Sequence, residues 1–380
     1  AGGSGPGDPG CKPTVIAGGT HTVGAFDPPE NFEHTLSIQV PAGVRSFTAV
    51  VTSPSTTAAL YTSKLVDPQG ATLYGLSQPG GPFRASVSQP GMPQVVLFPN
   101  TPDLSISEGT YQLTISATEA TEATVSIVLQ PSCEAAQAHL PVTFWFTGLA
   151  SGVNAAKAAG DPLFQGALAT FKKLYTAAGI EIRDDEVTLR DLSELVGGPQ
   201  AQALANPDDA GTGAIFGALR QATSPGLNYV LVDSMTTGGS QPIGYAGGLP
   251  GPPPVDGVGA TGVLCSVGEY YSGGETTGVP LGLTFAHEGG HYLGLYHTTE
   301  RSGDGPTDHD PIGDTPVCAQ LDAQGEHGTD VCADGGGSEN ILFWAPQPYL
   351  EGHGGEPTFS RVLSPGQLGV MKNHPAVRRD

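Results

Sequence analysis

The sequence predicts a chain of two domains, an all-β sandwich over residues 11–135 followed by an α/β domain over residues 136–380. Three observations carry this. At 380 residues the chain is long enough for about two domains, each burying its own core. Residues 11 to about 134 hold short runs of alternating apolar and polar residues, divided by turn residues, with no convincing helical period. From His139 the texture changes to strongly apolar runs interleaved with helical patterns.

Residues 1–10, AGGSGPGDPG, read as a flexible linker beyond a removed leader or beside an anchor. The first domain shows half-buried strands at His34–Val40, Ser46–Thr52, Gln94–Phe98, Tyr111–Ser116 and Thr124–Leu129. Turn signals at Asp67-Pro-Gln-Gly70 and Gln78-Pro-Gly-Gly81 separate such runs. Cys11 and Cys133 sit at the two ends of this region, and a sandwich brings its ends together, so a bridge between them is expected.

In the second domain Leu140–Thr147 reads as an apolar strand. Asp161-Pro162 supplies an N-cap and a first-turn proline for a helix through Phe164, Leu168, Phe171 and Tyr175, ended by Gly179. Ile180–Leu189 reads as a second strand, Ala214–Ala222 as a short helix and Leu227–Asp233 as a buried strand. Gly257–Gly268 is expected at the sheet edge, with the Gly/Pro-rich stretch Gly238–Pro254 as a loop on the cleft rim. Cys265, among Val263, Leu264 and Val267, reads as a buried unpaired thiol.

A helix over Pro280–Gly294 carries the chemistry. His287, Glu288, His291, Gly294 and His297 spell H-E-x-x-H-x-x-G-x-x-H. Residues four apart share a helix face, so His287 and His291 can aim two imidazoles at one ion, and zinc is the usual one. Gly294 lets the backbone leave the helix, and the turn brings His297 round as third ligand. Three protein ligands leave the fourth position open, as catalytic zinc sites do. Glu288 stands beside the metal, where it can take a proton from water and pass it on. Gly289 and Gly290 lie in mid-helix, where each costs about 1 kcal/mol against alanine, and close packing on that face would explain them.

Beyond His297, residues 299–340 hold ten acidic residues and one basic residue, Arg301. So many carboxylates among glycines and prolines suggest calcium, with Asp304, Asp308, Asp310 and Asp314 as first candidates for ligands. His309 and His327 are weaker second-site candidates. Cys318 and Cys332 flank a short loop here and are expected to form a bridge.

The zinc motif places the chain among sequences that resemble the metzincin metalloproteases. HEGGHYLGLYHT followed by Asp310-Pro-Ile-Gly-Asp-Thr-Pro316, with Leu363–Met371 near the end, is similar to the pappalysin (ulilysin-like) branch over about residues 139–380. The resemblance implies an α/β domain with a twisted mixed sheet, the active-site helix and an irregular C-terminal subdomain. It also implies calcium and a disulfide beyond the zinc motif. Metzincins put a methionine beneath the zinc, usually in N-x-M-x-Y. Here Asn340-Ile-Leu-Phe-Trp344 sets Leu342 and Trp344 at the methionine and tyrosine positions. Leucine for methionine nearly conserves volume, whereas Trp344 removes the phenol and leaves Tyr349 nearby. The first domain resembles, by strand-and-turn texture in 65–74 and 107–116, the small β-sandwich modules appended to bacterial secreted peptidases. It is either an accessory domain or a propeptide.

With 37 acidic residues against 15 basic ones, the net charge of −22 argues against nucleic acid or anionic membrane as partner. No apolar run is long enough to span a membrane. Five cysteines with little lysine suggest an exported chain, secreted or tethered at the cell surface. The function expected is zinc-dependent endopeptidase action on protein or peptide. The alternative is an adhesion or ligand-binding protein whose metzincin domain is catalytically idle.

Overall fold

A computed structural model describes residues 11–24, 33–76, 83–85, 88–133, 137–222, 226–275, 277–303, 309–333, 335–345 and 363–379. The expected linker, the Gln78–Gly81 turn, Asp304, Asp308 and Tyr349 lie outside these residues.

Strand alternation builds the first unit. In β2 (His34–Val40), Leu36, Ile38 and Val40 are buried, while Thr35, Ser37 and Gln39 are exposed. Strands β1 (Thr14–Val23), β3 (Val44–Thr52), β6 (Gln94–Phe98) and β8 (Thr121–Pro131) form one antiparallel sheet in the order β1-β8-β3-β6. Strands β2, β4 (Leu60–Val66), β5 (Thr72–Gly75) and β7 (Gly109–Ala117) form the other, in the order β2-β7-β4-β5. Phe47, Phe98 and Tyr111 meet between them with ring centroids 5.2–5.4 Å apart. The Cys11–Cys133 disulfide joins the two ends of the unit. β1, β4 and β5 add to the strands read from sequence; in β1 the run Ala17-Gly18-Gly19 breaks the alternation that would have marked it.

β3 is buried on both faces. Phe47, Ala49 and Val51 enter the sandwich core, and the alternate residues Ser46, Thr48 and Val50 are buried on the opposite side. The second unit covers that side. Leu97 of β6 joins the second unit's main core beside Leu295 and Val370. Ser46 Oγ donates to the Asn373 carbonyl at 2.6 Å, and Asn373 Nδ2 donates to the Pro99 carbonyl at 3.1 Å.

The second unit is built on a five-stranded sheet in the order β11-β10-β12-β14-β13. Its strands are β10 (Val142–Phe146), β11 (Val187–Asp191), β12 (Leu227–Val232), β13 (Gly244–Ala246) and β14 (Val263–Ser266). All run parallel except β13. Helix α1 (Pro162–Ala177) follows its sequence signals: Asp161 caps the Phe164 amide at 2.8 Å, and Gly179 leaves with φ 69°. Helix α2 (Asp209–Leu219) starts earlier than expected because Asp208 caps it.

Two strand expectations need correction. Ile180–Leu189 is not one strand: Asp184–Glu186 forms a 3-10 turn, and β11 begins only at Val187. The sheet edge is not Gly257–Gly268, since β14 lies between β12 and β13. The edge is β13, formed within the Gly/Pro-rich stretch assigned to loop. Three residues with a central tyrosine give too short an alternation to announce a strand.

Helix α3 (Val279–Tyr292) crosses α1 at very close range. A Cβ on Gly166 would fall 2.0 Å from the Thr277 carbonyl oxygen, and one on Gly282 would fall 2.5 Å from that of Ala167. Helix α4 (Pro365–Asn373) is fixed by a capping box between Ser364 and Gln367. Short strands β9 (Ala138–His139) and β15 (Arg378–Arg379) pair antiparallel near the C-terminus. Among the described residues no helix is long and apolar enough to cross a membrane.

Candidate metal centre

Helix α3 lays His287 and His291 on one face, and the chain reverses at Gly294 with φ 106° to return His297. The three Nε2 atoms converge at 3.0, 3.1 and 3.3 Å from one another. Each Nδ1 is engaged elsewhere: His287 with the Ile341 carbonyl at 2.5 Å, His291 with the Leu295 carbonyl at 2.7 Å, and His297 with Glu300 Oε2 at 2.8 Å. All three partners are acceptors, so each Nδ1 carries the proton and each Nε2 keeps a lone pair. Three lone pairs facing one another at this range repel unless a cation lies among them. A tetrahedral ion with bonds of 2.0–2.1 Å requires nitrogens roughly 3.3 Å apart, so the donor set fits zinc. Burial and the neighbouring imidazoles push His287 down to about 3 and His291 well below its ordinary value, which keeps both neutral.

Glu288 lies beside the cluster, directed toward the edge strand. A Cβ on Gly244 would fall 2.4 Å from Glu288 Oε1, so only glycine lets the carboxylate lie there. Burial raises Glu288 to about 8, while the Ala246 amide, donating to the carboxylate, opposes the rise. A dication beside it would pull the value down further.

Leu342 packs against the metal helix. It is fully buried, and a Cβ on Gly290 would stand 3.0 Å from Leu342 Cδ2. Gly289 meets the opposite neighbours, where a Cβ would fall 2.2 Å from the Tyr229 hydroxyl and 2.7 Å from that of Tyr175. Those hydroxyls donate to the carbonyls of Phe285 and Ala286 at 2.9 and 3.2 Å. Both mid-helix glycines therefore answer to close neighbours. The Leu342 amide donates to Asn340 Oδ1 at 2.9 Å, and Asn340 Nδ2 donates to Gln367 of α4 at 2.9 Å. Trp344 points its Nε1–H at the His327 carbonyl, 2.7 Å away, and lines the cleft.

Of the calcium candidates, Asp310 and Asp314 lie within the described residues, and both accept hydrogen bonds from the protein. Asp314 accepts from Ser364 Oγ at 2.6 Å and from the Gly366 amide at 2.8 Å, so it ties down the start of α4. Asp310 Oδ1 accepts from Thr315 and Ile312, and burial lifts its carboxyl to about 6. Among the described residues no three carboxylates converge. Cys318, His327 and Cys332 do lie together, but the cysteines form a disulfide and His327 faces the carbonyls of Gln320 and Gly303. Thiolate ligation is closed there. Cys265 is buried and unpaired, its thiol pushed up by burial and by Glu288.

The site opens into a cleft of about 790 Å³. The rim stretch supplies Ile243, Gly244 and Leu249, and the sandwich supplies Ser88 to Val95. Sequence reading missed that second wall, together with Glu300. Glu300 had a signal, a carboxylate three residues beyond the last histidine; the wall had none.

No family model matches the chain. It is 27% identical over 189 residues, half of this chain, to an extracellular metalloprotease of Trichophyton verrucosum (strain HKI 0517), of which the match covers 64%. It is 38% identical over 77 residues to an extracellular metalloprotease of Arthroderma otae (strain ATCC MYA-4605 / CBS 113480), covering 20% of this chain and 28% of that protein. The chain thus spans less than two thirds of the length of these relatives. Among solved structures, the propeptide form of Bacillus licheniformis lipase BlEst2 aligns with 32% of this chain and 22% of that one, at 19% identity and a TM-score of 0.20, too low to define a shared fold.

Proposed function

We propose that the chain is a secreted zinc-dependent endopeptidase of metzincin type, nearest the pappalysin branch. The observation that carries this is the convergence of three proton-free Nε2 atoms beside the buried carboxylate of Glu288. His287, His291 and His297 would hold the metal. The names of the relatives and the two disulfides support an extracellular metalloprotease.

Zinc bound there supplies Lewis-acid polarisation of the scissile carbonyl and acidifies water. Glu288 takes the proton of the attacking water and delivers it to the leaving amine. The carboxylate is held for this by Gly244 on one side and the Ala246 amide on the other. The outer side of β13 offers a strand edge to an extended peptide, which would bind by strand addition. Leu342 fills the floor as a hydrophobic residue of nearly the volume of methionine, which leaves ligands and base in place.

Glu288→Gln is the direct test. The variant should bind one zinc as the parent does and lose peptide hydrolysis by at least about 10²-fold, the lower bound for a general base. Retained chelator-sensitive cleavage in that variant would refute the mechanism. Absence of chelator-sensitive cleavage in the parent would favour the idle, ligand-binding reading.

A further inference from the structure

Residues Ser88–Val95 belong by sequence to the sandwich, yet they form a wall of the metal cleft. The segment is docked along its length. The Gln89 side chain hydrogen-bonds the Tyr245 hydroxyl of β13. Arg220 Nη1 donates to the Gly91 carbonyl at 3.3 Å. Met92 packs against the cluster containing Trp145, Phe216 and Val230, on the second unit's own sheet. The next strand carries Leu97 into that unit's main core. Arg84, just before the segment, stacks over Tyr296 at 5.6 Å.

This is not how a removable inhibitor sits. Among the described residues no sandwich side chain reaches the three Nε2 atoms, and the Cys11 and Cys133 sulfurs are bonded to each other. Stripping the sandwich away would take Leu97 out of the core it shares with Leu295 and Val370 and remove part of the cleft. The wall also carries no charge. Met92, Pro93 and Val95, with the polar Ser88, Gln89 and Gln94, face a cleft whose opposite rim offers Ile243 and Leu249, and its acidic side chains are Glu288 and Glu300.

We infer that the sandwich is a permanent half of the cleft, and that Ser88–Val95 selects substrates with uncharged side chains next to the scissile bond. The selection rests on the peptidase reading; the permanence does not. Along this wall, away from the metal, acidic substrate residues find no lysine or arginine among the described lining residues to receive them.

Two measurements on the 380-residue chain test this. A cleavage sequence for a site-specific protease is inserted between Cys133 and Gln137, the chain is cut there, and the product is passed over a sizing column under native conditions. The halves should co-elute, with peptide hydrolysis within about twofold of the uncut chain. Separation of the halves with an active remainder would establish a propeptide and overturn the inference. A peptide library is then profiled with the parent, Met92→Lys and Gln89→Lys. The lysines should raise kcat/KM for peptides with an acidic residue at one position by about tenfold relative to neutral ones, the scale of a charge pair in a partly wet site. A uniform loss with an unchanged profile in both variants would show a merely structural role and overturn the selection. If the parent cleaves nothing, the peptidase reading and the selection fall together, while co-elution still decides the place of the sandwich.

Discussion

Glu300 is the carboxylate on which the third histidine depends. It accepts the His297 Nδ1 proton at 2.8 Å while its side chain stays 44% exposed. Its removal should therefore act on the metal rather than on the fold. Glu300→Ala is expected to lower zinc affinity about 10–100-fold, as for other groups behind a metal ligand, read by competition with a chromogenic chelator. The melting temperature of the metal-free protein should not move. Gly289 behaves in the opposite way. Gly289→Ala gains about 1 kcal/mol of helix propensity, but its Cβ falls 2.2 Å from the Tyr229 hydroxyl, itself bonded to the helix backbone. Overpacking of this kind costs typically about 1–3 kcal/mol, so the variant should lose stability in urea unfolding. A stabilised variant would contradict the packing described.

At the scale of elements, the metal helix is supported by segments far along the chain. Ile341 and Leu342 supply a carbonyl for His287 and the floor under Gly290, and Asn340 hangs them on α4 through Gln367. Leu342→Met is expected to change stability by less than about 1.5 kcal/mol and leave activity in place, whereas Leu342→Ala should cost about 2–5 kcal/mol. His374 closes the other side. Its Nε2–H donates to the Gly251 carbonyl at 2.8 Å, and its Nδ1 accepts from the Ala376 amide at 3.1 Å, which fixes a neutral tautomer. Burial lowers His374 from 6.5 to about 4. The folded value lies below the unfolded one, so the unfolded chain takes the proton first. The stability this site contributes is present above pH 6.5 and is lost as pH falls through about 4, by roughly 3 kcal/mol in all. Melting temperatures at pH 7 and pH 4.5 should fall further apart in the parent than in His374→Gln.

Across the whole molecule, the two units are not separable bodies joined by a strand. β3 is buried on both faces, and Leu97 lies in the core that also holds Leu295 and Val370. One calorimetric transition is expected for both units. Leu97→Ala should lower it as a whole by about 2–5 kcal/mol rather than split it. Two transitions, with only one moved by the substitution, would show that the units unfold independently. The same continuity explains how a segment of a β-sandwich comes to wall a cleft whose metal ligands lie some two hundred residues later in the chain.

The sequence alone determined what is local. Spacing of three, four and six residues settles that His287, His291 and His297 can meet, because helix pitch and one glycine turn do the work. Capping settled α1, alternation settled β2, and the cysteines at the ends of their loops pointed to the two bridges that the structure contains. What the tertiary structure decided is whatever depends on surfaces meeting. It made β13 the edge of the sheet, turned Asp314 toward α4, put Tyr229 and Leu342 against the paired glycines, and laid Ser88–Val95 along the cleft. Periodicity reports which face of an element avoids water. It cannot report which other element covers that face, and the cleft is made of those choices.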